Sequence, residues 1–361
     1  MLQRLEKFRK TLKEKNIDAF LVSNFYNILY LSGFKTLVPE EREAWLLITT
    51  KNSYVFTDSR YSSTQTKNLR LLTAEKELIK HLQEIISEEK IMLIGIEGDD
   101  LKLNEFQNFH QYLNGVKLVP TERLVIKQRE IKDKEEVEKI SKACRISDEC
   151  LTEIVKTIKV GQTEKEIAFK LEFWLKEKGY DLAFYPIVAI DENSALAHYD
   201  TKSKGDKKVS DGSVVLIDFG AKYKDYMSDI TRMVFVGKTN TKIINAYNSL
   251  LDSQTKTIEK LNMNKTSMLK DTDLYCRQLL TSHSPLFSYN HSTGHGVGLE
   301  VHEYPKIAPR SGDQIFPGQV ITVEPGVYFE NSWGMRIEDT VLVKEDDVEV
   351  LTKFSKKPLI I

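Results

Sequence analysis

The sequence predicts an α/β domain over residues 1–122 followed by an α+β domain over 123–361 that carries a duplicated, pseudo-two-fold hairpin unit. Three observations predict it. Helical and strand-like segments alternate up to about Pro120; the stretch 121–132, TERLVIKQREIK, is charged and lacks a clear core pattern; and beyond it one strand-turn-strand arrangement occurs twice. A length of 361 residues suits two units that each bury a core.

The elements follow in order. MLQRLEKFRKTLKEKN places Leu2, Leu5, Phe8 and Leu12 at helical spacing among charges, which reads as an amphipathic helix of the mature protein and not as a secretion signal. AFLVSN, the pair AWLLITT and SYVFTD joined by a turn at Asn52, a helix around ELIKHLQEIISEEK and the run IMLIGIE complete the first unit. Asp133 with Glu136, and Thr163 with Glu166, match an N-cap and its partner three residues on. They predict one helix through about Ile158 and a second that stops at Gly179, both scaffolding.

Composition narrows the function. Lys plus Arg number 52 against 53 Asp plus Glu, a formal charge of −1, so nothing recommends a nucleic-acid partner. No run approaches the roughly 18 apolar residues of a membrane span. Cys144, Cys150 and Cys276 are an odd number without CxxC spacing, which fits buried thiols in a reducing cytoplasm.

The repeat carries the chemistry. VVLIDFG, a turn and SDITRMVFV are followed later by VITVEPG, a turn and MRIEDTVLV. In each half an apolar strand ends at an acid, Asp218 or Glu324, and the return strand carries another, Asp229 or Glu338. Packed face to face, the halves bring the four together. An ionised acid buried among apolar residues costs several kcal/mol unless a cation or donors compensate it. One such acid alone reads as a salt-bridged or half-exposed strand residue. Four in duplicated context read as a metal site, in which two divalent ions would balance a charge of about −4 with one neutral imidazole and a bridging hydroxide. His295, in HSTGHGVGLEVHE, supplies the imidazole, and Gly294, Gly296 and Gly298 allow close backbone approach there. His198, His291 and His302 cluster around the same hairpins, His198 reading as substrate-facing, whereas His81, His110 and His283 read as structural.

With FYPIVAIDENSALAHY, LIDFGAKYKDYMSDITRMVFV, STGHGVGLEVHE, TVEPGVYF and RIEDTVLV in order, the chain resembles the Xaa-Pro peptidases, the aminopeptidase P and prolidase group with the pita-bread fold. TDSRY at 57–61 extends the resemblance into the first domain. The resemblance implies a metallo-aminopeptidase that hydrolyses the N-terminal Xaa-Pro bond of proline-containing peptides. It implies Asp218, Asp229, His295, Glu324 and Glu338 as ligands, with Asp229 reaching both ions and Glu338 bridging. Glu324 would move a proton, His302 and His291 would stabilise the oxyanion, and His198 would contact substrate. Arg336 would fix a carboxylate. Lys306 stands where dipeptide-cleaving relatives tend to carry a carboxylate-clamping arginine, and since lysine makes no bidentate fork, this favours longer peptides over a strict dipeptidase. Hard oxygen ligands favour manganese, with cobalt or zinc as alternatives. A cytoplasmic homodimer is expected. The rivals are methionine aminopeptidase, which leaves the first 120 residues without a purpose; creatine-hydrolysing relatives, which lack the ligand set; and a non-catalytic peptide-binding module.

Overall fold

The computed structural model describes residues 2–61, 69–73, 77–263 and 267–361. It divides into two compact units, Met1–Arg129 and Glu130–Ile361.

In the first unit six strands form one mixed sheet: β1 (Ala19–Val22), β2 (Ala44–Thr49), β3 (Ser53–Thr57), β4 (Arg70–Thr73), β5 (Leu93–Glu97) and β6 (Lys117–Thr121), in the order β4-β3-β2-β1-β5-β6. The expected turn at Asn52 closes an antiparallel β2–β3 pair, with the Lys51 and Asn52 amides donating to Thr49 Oγ1. Helices α1 (Leu2–Glu14), α2 (Phe25–Ser32), α3 (Leu78–Glu89) and α4 (Leu103–Tyr112) accompany the sheet, and α1 buries Leu5, Phe8 and Leu12 as its spacing predicts. The stretch read as a coreless linker is instead a further helix, α5 (Leu124–Glu130), and the division falls after most of it. Apart from Val125 its buried side chains are polar, so a hydrophobic pattern shows little of it. Gln128 Nε2 donates to Arg4 O at 2.9 Å and Arg129 Nη1 to Asn27 Oδ1 at 2.8 Å.

The second unit opens with α6 (Lys134–Val155) and α7 (Glu164–Glu177), each begun by the predicted reciprocal cap. α6 ends short of Ile158, and Gly179 follows α7 at φ +77°, a left-handed position suited to glycine. Strands β7 (Asp181–Leu182) and β8 (Ile187–Ile190) lead to α8 (Thr201–Lys204) and to the first hairpin, β9 (Val214–Phe219) and β12 (Ile230–Phe235), between which lies the small ribbon β10 (Ala221–Tyr223) and β11 (Tyr226–Met227). After α9 (Thr241–Met263), α10 (Leu269–His283), β13 (Gly294–Gly296) and β14 (Glu303–Ile307), the plan recurs: β15 (Val320–Val323), the ribbon β16 (Gly326–Phe329) and β17 (Trp333–Arg336), then β18 (Asp339–Val343). The antiparallel pairs β9–β12 and β15–β18 are the two halves of the sequence repeat. Strands β19 (Val348–Val350) and β20 (Leu359–Ile360) edge the two sheets. Apolar side chains of α6 and α7 pack with β8, β9 and β12 in one core, while α9 and α10 take part in two others. The duplicated α+β architecture is thus the expected pita-bread arrangement. Among the described residues no helix is long and apolar enough to cross a membrane.

Candidate active site

The four acids occupy equivalent ends of the two hairpins. Asp218 is the penultimate residue of β9, Asp229 directly precedes β12, Glu324 directly follows β15 and Glu338 directly precedes β18. A bridge between Thr231 and Glu338, with the Glu338 amide donating to Thr231 O at 3.2 Å, joins the halves. His295 reaches the same place from β13, the strand between β14 and β15. This closeness needs the flanking glycines, because a Cβ at Gly294 would lie 2.0 Å from Thr322 O and one at Gly296 2.2 Å from Tyr304 O.

All five expected ligands converge. His295 Nε2 stands 3.4 Å from Glu324 Oε1 and 3.7 Å from Asp229 Oδ2. Ligand atoms of Asp218, Asp229 and Glu338 lie within 4.8 Å of one another, as do those of His295, Glu324 and Glu338, and of Asp229, His295 and His302. Three of the acids are satisfied by protein on one oxygen or none. Asp218 Oδ2 is paired to Arg336 Nη2 and Glu338 Oε2 accepts from Thr231 Oγ1 at 2.7 Å, but Asp218 Oδ1, Asp229 Oδ1 and Glu338 Oε1 are buried without any hydrogen-bond partner. Orphaned anionic oxygens turned to a common point are what a hard divalent cation completes. The imidazole is prepared in the same sense: His295 Nδ1 donates to Gly296 O at 3.1 Å, which leaves the Nε2 lone pair facing the acids. The residues therefore fit a divalent metal centre.

Electrostatics agree. Burial first, then the neighbouring Glu338 and Asp218, raises the Asp229 carboxyl well above its ordinary range. Burial raises Glu324 to about 8 and, with Glu324 beside it, raises Glu338 strongly. Burial lowers His295 to about 3, so it is neutral at physiological pH. Without added positive charge, protons would hold this cluster together.

The site opens on a cavity of about 610 Å³. His198, His302 and Lys306 line it and are exposed. His291 lines it too, but both its nitrogens are engaged: Nδ1 with Ser292 O at 2.7 Å and Nε2 with Tyr328 Oη at 3.0 Å. A carbonyl accepts only, so Nδ1 carries the proton and Nε2 accepts from the tyrosine, consistent with burial lowering His291 to about 4. Arg336 Nη1 donates to the same Tyr328 Oη at 3.1 Å and Nε to Thr231 Oγ1 at 3.1 Å, so the arginine expected to fix one carboxylate holds a chain of groups. The structural histidines lie elsewhere: His81 in α3, His110 in α4, and His283 at the end of α10, where it meets Asp252 at 3.0 Å.

Sequence reading missed Thr231 and Tyr328. Thr231 follows Asp229 by two residues in a motif already singled out, and alternation would have placed it on the acid-bearing face. No signal marked Tyr328. Asp339, beside Glu338, points to the other side, where Arg232 Nη2 and Lys356 Nζ each approach it at 2.7 Å.

The family model described as metallopeptidase family M24 matches residues 138–345, and that of the creatinase/prolidase N-terminal domain matches residues 4–131. The chain is 32% identical over 360 residues to a protein named Xaa-Pro dipeptidase from Pyrococcus furiosus, covering 99% of this chain and 100% of that one. A solved structure described as Xaa-Pro dipeptidase from Bacillus anthracis superposes with a TM-score of 0.90 at 32% identity, over 100% of this chain and 99% of the other. One described as X-Pro aminopeptidase from Thermotoga maritima gives 0.86 at 32% identity, over 96% and 98%.

Proposed function

The chain belongs to metallopeptidase family M24 and is a hydrolase, and on that premise we propose that it cleaves the bond before proline in Xaa-Pro dipeptides, using two divalent ions held by Asp218, Asp229, His295, Glu324 and Glu338. The observation that carries the metal assignment is the trio of buried oxygens without partners on Asp218, Asp229 and Glu338 at the wall of one cavity. When bound, such ions supply Lewis acidity and bring the pKa of water toward neutrality.

The chain's own groups do the rest. An X-Pro bond has no N–H and a locked proline φ, so an enzyme for it must grip the ends and the ring instead of reading an extended backbone. Phe184, Ile187, Val301 and Ala308 give the cavity apolar wall suited to a pyrrolidine ring. His302 and His198 reach into the same space, where they contact the substrate carbonyl and donate to the oxyanion that develops on it. Glu324, at the cavity edge, takes a proton from the attacking water and passes it to the departing proline nitrogen. Replacing Glu324 by Gln abolishes turnover in this scheme; an E324Q enzyme that keeps its metals and its rate removes Glu324 from the role.

Lys306 bears on peptide length. As a point charge at the cavity wall it can pair with the carboxylate of a dipeptide's proline, though without an arginine's fork. The dipeptidase names of the relatives at 32% identity weigh toward that pairing. The missing fork and the likeness to an X-Pro aminopeptidase support a second reading, in which longer peptides are trimmed. Assaying Xaa-Pro against Xaa-Pro-Yaa, metal-free and then with Mn²⁺ restored, separates them: a kcat/KM at least tenfold higher on the dipeptide supports the first, the reverse order the second, and no cleavage of either with metal bound sinks both. Manganese is the proposed ion because four of five ligands are carboxylates. A cytoplasmic homodimer is part of the reading, supported by the three free, buried cysteines for the compartment and by family likeness for the assembly.

A further inference from the structure

The segment between α10 and β13 has no regular secondary structure, yet it carries His291 to the cavity wall and Thr293 to the backbone of Glu324. Its backbone must be held by other means. Besides the Thr293 amide's bond to Ile307 O and the contact between the Tyr289 and Thr293 hydroxyls, two side chains of α10 hold it. Arg277 Nη1 donates to Tyr289 O and Nη2 to His291 O, each at 2.7 Å, while the guanidinium lies 4.1 Å from the centre of the Tyr289 ring. The same guanidinium grips Asp273 with two bonds, Nε to Oδ2 at 2.7 Å and Nη2 to Oδ1 at 3.1 Å. Asp273, almost fully buried, accepts in turn from Thr293 Oγ1 at 2.7 Å. The Thr293 carbonyl accepts from the Glu324 amide at 2.8 Å. Thus one ion pair on a helix that supplies no ligand fixes two carbonyls and a hydroxyl of a single five-residue segment, and through that segment touches both His291 and Glu324.

We propose that Asp273 and Arg277 are positioning residues for the hydrolysis: by clamping Tyr289–Thr293 they set the His291 ring against the cavity and the Glu324 backbone against the acid cluster. The proposal rests on the peptidase reading above and on taking His291, which lines the same cavity, as part of the wall that meets the substrate. The arginine's role depends on its fork, because two carbonyls two residues apart and a carboxylate are met at once by one planar group. An ammonium at this position reaches one of them.

The test is a double-mutant cycle in the metal-loaded full chain, with kcat and KM for an Xaa-Pro dipeptide, melting temperature and Mn²⁺ affinity by calorimetry read for each variant. Misplacing a binding group by about an ångström can cost on the order of a hundredfold, so R277M is expected to lower kcat/KM about 10- to 100-fold, mostly through KM, and R277K to restore part of that. R277K is also the variant to read should R277M not fold, with a severalfold rise in KM expected. In an H291A background R277M should change KM by less than about threefold, since the group being positioned is gone. D273A, which removes the acceptor that Thr293 Oγ1 shares with Arg277, should weaken Mn²⁺ binding at Glu324 by about tenfold, the lower end for a supporting residue. A purely structural pair would lower the melting temperature and leave KM and Mn²⁺ affinity, per folded molecule, within twofold of the parent; that result overturns the proposal. So does an R277M effect equally large with and without the imidazole. H291A alone with unchanged KM would instead remove His291 from the substrate wall, a failure distinguishable from that of the clamp.

Discussion

Both units bury acids, and one acid of the first is treated in the opposite way from three of the second. In the first unit Glu97, at the end of β5, is enclosed, yet each oxygen has donors: the Ser23 and Asn24 amides at 2.6 and 2.7 Å on Oε2, and Asn27 Nδ2 at 2.6 Å on Oε1. In the second unit Asp218, Asp229 and Glu338 each keep a buried oxygen that no donor reaches. The contrast recurs within a single dipeptide. Asp339 receives Arg232, Thr352, Gln254 and Lys356, and the two cations, Arg232 and Lys356, with the hydrogen bonds hold its carboxyl down at about 2 against the burial that would raise it, whereas the neighbouring Glu338 carboxylate accepts from Thr231. Burial of an acid therefore does not mark a metal site. What marks it is several such burials left incomplete around one point, since the single unbonded oxygen of Glu43 in the first unit is met by Arg60 at 2.9 Å.

This distinction can be broken experimentally, and the sharpest break is at the incomplete acids. E338Q or D229N should cut turnover of Xaa-Pro by more than about a hundredfold, beyond the 10- to 100-fold typical of supporting residues. Yet in chelator at alkaline pH, where the remaining acids ionise, the same variants should melt higher than the parent, because one of several mutually repelling carboxylates is gone. A lower melting point would show that contacts with the protein outweigh the repulsion among those acids. D339N should do the opposite, costing about 3–5 kcal/mol in urea unfolding by leaving Arg232 and Lys356 without their anion, with or without Mn²⁺. E97Q should cost about 1–3 kcal/mol, the range for a buried hydrogen-bonding group left mismatched, with kcat/KM unaltered; a loss of activity would mean that the first unit's acid is not merely structural. A separate effect is expected on the pH dependence of the metal-free protein. Glu324 sits at about 8 when folded against an ordinary 4.5. Unfolding releases its proton at the lower value, so the metal-free protein should lose stability as pH rises from about 4.5 to about 8, and keep what remains above that. Scanning calorimetry in chelator across this window should show a melting temperature falling with pH, and Mn²⁺ should flatten the slope.

Much of the site was legible because its acids interrupt apolar strands twice in the same pattern. Asp218 after Val-Val-Leu-Ile and Glu324 after Val-Ile-Thr-Val leave no local explanation for their charge, and glycines around His295 announce a close approach. The helix starts at Asp133 and Thr163 were legible for a similar reason, since a cap is a local hydrogen bond between residues three apart. The helix α5 was not, because Gln128 and Arg129 are buried by partners more than a hundred positions away in the chain. Nor was the state of His291, whose tautomer depends on Tyr328, or the clamp on its segment, which depends on α10.

By itself the sequence determined which residues cannot be left alone: ionised side chains set in apolar strands demand compensation wherever the fold puts them, and periodicity fixes those strands locally. Only the tertiary structure decided how each demand is met. Glu338 and Asp339 are neighbours in one motif, and strand geometry sends them to opposite faces. On one face wait Arg232 and Lys356; on the other are three more acids and an imidazole. Which cations and donors lie there is a property of distant chain segments brought together, and no local pattern encodes it.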